Sequence, residues 1–217
     1  MKRIVFLAIS VILLAFIFSS CTRKVTRLQE EIRLYETKIE ENNRKACIPG
    51  CLLFEGDSNV ELIDVQEYFK TAACNYARRG STTEDLLARV EKVKTTKPAA
   101  IILLVGGNDL LRSFPPETIE KNYNELIGLY KRVTGKIYFV SNLPVNSKLN
   151  STNTEITALN MLLRQVCEKQ RVTFVNVHPR LVKAGGLDPD YARDPVHLNK
   201  TGQDQLMAYL KKYLDFK

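Results

Sequence analysis

Only two histidines, His178 and His197, occur in the 217 residues, and no two of the five cysteines have CxxC spacing. Zinc centres draw on histidine and cysteine at short spacings, so no metal site and no cofactor are expected. The shortage of histidine also confines any imidazole base to two positions. With 10 Gly and 8 Pro there is no compositional basis for a long disordered tract. A basic stripe is missing as well, despite the formal net charge of +8. Lys2 and Arg3 account for +2, residues 22–45 carry seven basic and five acidic side chains, and the remainder is scattered without interleaved aromatics. Nucleic acid is therefore excluded as the expected partner.

A targeting segment stands at the start. "MKR" is a positive n-region, "IVFLAISVILLAFIF" is uninterrupted apolar sequence, and "SSC" brings small residues ahead of Cys21. The pattern resembles a bacterial lipoprotein signal, in which Cys21 becomes the lipidated first residue. An uncleaved anchor is the alternative, because the run Ile4 to Ser20 reaches the lower end of the ~17–25 residues that span a bilayer. A buried core helix is the third reading, although no polar second face marks one. The first two tether the chain to a membrane on its extracytoplasmic side. In that setting Cys47, Cys51, Cys74 and Cys167 can pair or remain buried thiols, and sequence does not choose among the connectivities.

Residues 22–46 lack Gly and Pro, and Val25, Leu28, Ile32, Tyr35 and Ile39 repeat with a/d spacing. This predicts a helical stalk, either a monomeric one lying on the domain or one pairing with a second copy as a homodimer. Glu40 with Arg44 and Glu41 with Lys45 add favourable i,i+4 pairs. "CIPG" breaks the pattern, so the expected organisation is anchor 1–21, stalk 22–46 and folded domain 47–217.

In the domain, short apolar runs at 51–56, 71–76, 99–107, 136–142 and 172–178 alternate with helical patterns. Runs apolar on both faces, linked by helices, predict an α/β fold: a three-layer α/β/α sandwich with a five-stranded parallel sheet. "TTEDLLARVEKVKTT" is read as one helix, "PPETIEKNYNELIGLYKRV" as a second, and "TEITALNMLLRQVCEKQ" as a third, with Thr152 and Glu155 as a capping box. Such sheets place their sites at the carboxyl ends of strands.

Chemistry-bearing residues cluster there. The first strand runs into "GDSN", the second into "NYARRGSTTEDLL" and the third into "GGNDLL", while the last segment holds "YARDPVHLNKTG". A serine attacks a carbonyl only if a base takes its proton, and His197 has Asp194 three residues before it to fix its tautomer. Ser58 is the candidate nucleophile, although either it or Asp57 could serve only as a helix cap. His178, followed by Pro179 and without a neighbouring acid, reads as a structural strand-end histidine. Asn75 sits at a strand end as a turn residue. Asp109 is the rival of Asn108, but an acid would repel a developing oxyanion.

These blocks resemble the SGNH (GDSL-type) hydrolases, over roughly residues 50–214. The resemblance implies a flavodoxin-like fold, a catalytic triad of Ser58, Asp194 and His197, and an oxyanion hole built from the Ser58 and Gly80 N–H groups with the Asn108 amide. Asp57, Asn59, Arg79 and Arg193 flank the blocks as candidate substrate contacts, and Arg78 and Arg79 stand where the family has smaller residues. It further implies an ester substrate, an acylated glycan or a lipid. The expected activity is removal of acetyl or short acyl groups from carbohydrate or cell-envelope material. Lysophospholipase, thioesterase or acyl-transfer chemistry and a non-catalytic glycan-binding scaffold are the alternatives.

Overall fold

The computed structural model describes residues 47–214, together with Thr26, Glu30, Arg33, Leu34, Thr37 and Glu41. Those six earlier positions are helical. The apolar run, Cys21, the seam residues Val25, Leu28, Ile32, Tyr35 and Ile39, and the partners Glu40, Arg44 and Lys45 lie outside the described residues. Among the described residues no helix is long and apolar enough to cross a membrane. The chain divides after Glu40 into two units, and the second carries the sheet.

Five strands form it: β1 (Leu52–Gly56), β2 (Ala73–Asn75), β3 (Ala100–Leu104), β4 (Ile137–Val140) and β5 (Thr173–Val175). All neighbours are parallel, in the order β2-β1-β3-β4-β5. Every residue of β1 and β3 is buried, which explains their apolar character on both faces. The helices are α1 (Ser58–Glu61), α2 (Thr83–Ala88), α3 (Val90–Thr96), α4 (Gly107–Leu111), α5 (Pro116–Tyr130), α6 (Asn150–Gln170) and α7 (Lys200–Leu210). Alternation along β1 sends Leu52 and Phe54 into one core with Leu206, Met207 and Leu210 of α7. Leu53 turns into the opposite core, with Leu86, Val93, Tyr123 and Leu163 from α2, α3, α5 and α6. The result is the expected three-layer sandwich.

Two local expectations are corrected. The single helix predicted across residues 82–96 is broken at Arg89, which leaves helical geometry at φ −113°, ψ 10° and separates α2 from α3. Its start is a capping box of Thr82 with Asp85. The predicted Thr152–Glu155 box is not the start of α6, because that helix begins earlier, at Asn150. Cys47 and Cys74 form a disulfide with Cα atoms 4.8 Å apart, tying the segment before β1 to β2. Cys51 and Cys167 are buried free thiols, and burial pushes the Cys167 thiol up to about 12.

The strand order reverses between β1 and β3. In open α/β sheets a ligand crevice opens at that switch point, beyond the carboxyl ends of the two strands. Ser58 follows β1 and Asn108 follows β3, so the topology brings both to the crevice.

Candidate active site

Gly56 ends β1 where space is absent: a Cβ there would lie 2.1 Å from the Leu104 carbonyl oxygen. The backbone then turns, and Asp57 caps α1 by accepting the Asn59 N–H at 2.9 Å. Asp57 is thus the cap, and Ser58 is left free to face the crevice.

The third partner comes from far along the chain. A bridge between Ala192 and Leu198 closes the loop that carries Asp194 and His197. Asn199 anchors the loop to α7 by accepting the Gly202 N–H and donating to the Asp190 and Ala192 carbonyls. Within it, Asp194 Oδ1 accepts the Val196 and His197 N–H groups at 3.0 and 2.9 Å. His197 Nδ1 lies 2.8 Å from Asp194 Oδ2 and 2.9 Å from Oδ1, while Nε2 lies 2.9 Å from Ser58 Oγ. An ionised carboxylate only accepts, so Nδ1 carries the proton and Nε2 is the acceptor for the Ser58 hydroxyl. Burial works to raise the Asp194 carboxyl, but the Val196 N–H and the His197 side chain and backbone outweigh it and hold it below the usual carboxylate range.

Two further candidate donors, Gly80 and Asn108, lie on the segments that follow β2 and β3. Gly80 has φ +74°, a left-handed conformation that suits glycine. Among the described residues neither the Ser58 nor the Gly80 N–H donates to a protein acceptor. The Asn108 amide gives one hydrogen bond to the Ser81 carbonyl at 3.0 Å, which leaves its second N–H for another acceptor.

The remaining sequence candidates separate clearly. Arg79 binds Glu61 Oε2 through its Nε at 2.8 Å, and Arg193 Nε sits 3.5 Å from Asp194 Oδ2. Asn59 Oδ1 is buried without a hydrogen-bond partner. Asp109 is fully buried and accepts from the Thr83 N–H and hydroxyl, so it fastens α4 to α2. His178 donates from Nδ1 to the Asn142 carbonyl at 3.0 Å, away from the serine relay. Asn75 holds the turn after β2 against α1 by donating to the Val60 and Ile63 carbonyls. Among the described residues no cluster of His, Cys, Asp and Glu could hold a metal ion.

The family model of GDSL-like lipases and acylhydrolases matches residues 62–205, which include Gly80, Asn108 and His197. The chain belongs to this family. The matched region opens just after the "GDSN" stretch. Among solved structures, a Streptococcus pneumonia protein provisionally described as a platelet activating factor is 27% identical, with a TM-score of 0.68 over 87% of this chain and 97% of that one. A GDSL-like lipase from Bacteroides thetaiotaomicron is 22% identical, with a TM-score of 0.67 over 83% and 95%. Axe2, an acetylxylan esterase from Geobacillus stearothermophilus, is 19% identical, with a TM-score of 0.66 over 78% and 97%. Curated relatives include the N-acylneuraminate cytidylyltransferase of Streptococcus agalactiae serotype III, 22% identical over 160 residues. The match spans 74% of this chain and only 38% of that protein. The family assignment supports a lipase or acylhydrolase, and the solved structures share its fold.

Two residues next to the candidate acylhydrolase site escape a motif reading. Glu55 is a charge inside the otherwise apolar run "CLLFEG", and Arg89 sits in a sequence that reads as an ordinary surface helix. Each is placed by the other, through an ion pair at 2.6 Å.

The acid beside Ser58 makes stability depend on pH. Burial pushes the Asp57 carboxyl up to about 7, partly offset by the Asn59 hydrogen bonds and reinforced by the nearby Asp109 charge. An unfolded Asp ionises near 3.9, so between about pH 4 and pH 7 the folded chain holds a proton that the unfolded chain has lost. Folding stability from this group therefore falls as pH rises through that window and levels off above it. Asp57→Asn keeps an acceptor for the Asn59 N–H and has no charge to bury. Its stability relative to wild type should increase by on the order of 2–3 kcal/mol between pH 5 and pH 8, read from urea unfolding. An equal difference at both pH values would mean that Asp57 ionises normally in the fold.

Proposed function

We propose that this chain is a serine esterase in which Ser58 attacks the ester carbonyl, His197 takes its proton and Asp194 holds the imidazole. The observation that carries this reading is the continuous hydrogen-bonded run from Ser58 through His197 to Asp194, together with Ser58 and Gly80 N–H groups that have no protein acceptor among the described residues. The attack generates an oxyanion, which the Ser58 and Gly80 N–H groups and the second Asn108 N–H stabilise. His197 then passes its proton to the leaving alkoxide, and water repeats the sequence on the acyl-enzyme.

The acyl group is acetyl or another short chain, and its carrier is a carbohydrate or cell-envelope polymer. Axe2 is described as an acetylxylan esterase and the Streptococcus agalactiae relative is named for an acylated sugar, which supports a glycan carrier. A membrane tether through residues 1–21 puts the site outside the cytoplasm, and the Cys47–Cys74 disulfide supports such an oxidising setting.

Hydrolysis of a p-nitrophenyl ester series by the full-length chain tests the acyl preference. Activity is expected to peak at acetyl and fall with chain length. A maximum at long chains would instead favour the lipid-ester reading that the description of the Bacteroides thetaiotaomicron protein as a lipase suggests. Fractionation of cells expressing the chain, with and without residues 1–21, tests the tether; full-length protein in the soluble fraction would end it. Asn108→Ala should lower kcat by roughly 10²- to 10³-fold with little change in KM, as loss of a side-chain oxyanion donor does. A rise in KM alone would remove Asn108 from that role.

A further inference from the structure

Glu55 is fully buried, on the β1 face that packs against α2, α3 and α5, and its carboxylate meets one guanidinium. Arg89 donates to Glu55 Oε1 from Nε at 2.9 Å and from Nη2 at 2.6 Å. The arrangement is a poor device for stability. Oε2 of the same carboxylate is buried with no partner, and burial pushes the group up to about 7 even though Arg89 pulls it back. Buried ion pairs of this kind often contribute no more than an apolar replacement would. What distinguishes the pair is its other contacts.

The Arg89 guanidinium also reaches the Gly56 carbonyl from Nη2 at 3.2 Å and the Ser81 hydroxyl from Nη1 at 2.9 Å. Gly56 lies two residues before Ser58, and its carbonyl additionally accepts the Arg78 N–H, two residues before Gly80. Ser81 follows Gly80, and its carbonyl receives the Asn108 amide. One side chain therefore touches the segments that carry Ser58 and Gly80, and through Ser81 it is linked to the Asn108 amide. The helix is interrupted at Arg89 itself, where a continuous helix was expected.

We propose that Arg89, held by Glu55, is a positioning residue that fixes the oxyanion hole by binding the Gly56 and Ser81 segments into one frame and so setting the Asn108 amide relative to Ser58. The inference rests on the esterase reading above. It concerns placement: Arg89 acts through Ser81 and Asn108 and meets no substrate.

A double-mutant cycle on the full-length chain tests it, with p-nitrophenyl acetate as the probe. Arg89→Lys keeps the charge and loses the fork, so it should lower kcat by about 10- to 100-fold with KM changed little, as small misplacements of catalytic groups do. In an Asn108→Ala background the same substitution should cost less than about 3-fold, because the group it positions is already gone. Glu55→Gln, which leaves Arg89 without its counter-charge, should behave alike. Equal losses from Arg89→Lys in both backgrounds, or a loss confined to KM, would overturn the proposal. So would failure of both Arg89→Lys and Glu55→Gln to give a cooperative thermal melt, because the pair would then be a folding element. Should Asn108→Ala alone leave kcat intact, the oxyanion assignment fails first, and that outcome is distinct from additivity.

Discussion

Ser58→Ala lowers kcat for p-nitrophenyl acetate by about 10⁵- to 10⁶-fold, the scale on which serine hydrolases lose activity without their nucleophile. The substitution deletes one oxygen. Ser58 is partly exposed, and its hydroxyl is bonded to His197, so the fold loses a single hydrogen bond and no packing. Thermal stability should then shift by no more than about 1 kcal/mol, which separates chemical loss from unfolding. The residual rate would come from water activated by His197 in front of an intact set of N–H donors. Retention of more than about one part in a hundred of wild-type kcat, in a folded variant, is far outside what a nucleophile can lose and rejects the role.

His197→Ala produces a loss of similar size, and the double variant Ser58→Ala, His197→Ala is no slower than either single variant. The two groups act as a unit: without a base the hydroxyl keeps its proton, and without the hydroxyl the base has nothing to activate. Asp194→Asn retains the shape of the loop and costs less, about 10⁴-fold, because the amide can donate to Nδ1 and so favour the wrong tautomer. Additive losses across Ser58 and His197 would show that they serve separate steps, and the hydrogen-bonded run would lose its mechanistic meaning.

The parallel sheet was legible because β1 and β3 are buried on both faces and therefore read as apolar runs, interrupted only by Glu55 in β1. The "GDSN" and "GGND" blocks were legible because they follow β1 and β3 at the switch point, and "DPVHLN" because it sets an acid three residues before a histidine, a pairing that acyl transfer uses. Arg89 was not. Its helix has the period of a surface element, and the partner toward which the guanidinium turns, Glu55, lies far away in sequence. The start of α6 escaped for a different reason: Thr152 and Glu155 have the spacing of a capping box, but Asn150 already begins the helix. Whether Asp57 or Ser58 caps α1 also needed coordinates, since both residues are common caps and the choice rests on which side chain accepts the Asn59 N–H.

The central claim is that Ser58 is an activated nucleophile. Intact-mass and peptide analysis of the full-length chain after exposure to a fluorophosphonate measures this most directly. The account predicts one adduct per chain, on the peptide carrying Ser58, absent from Ser58→Ala and formed far more slowly in His197→Ala. An unmodified Ser58 in folded protein, or an adduct that persists in Ser58→Ala, would contradict it.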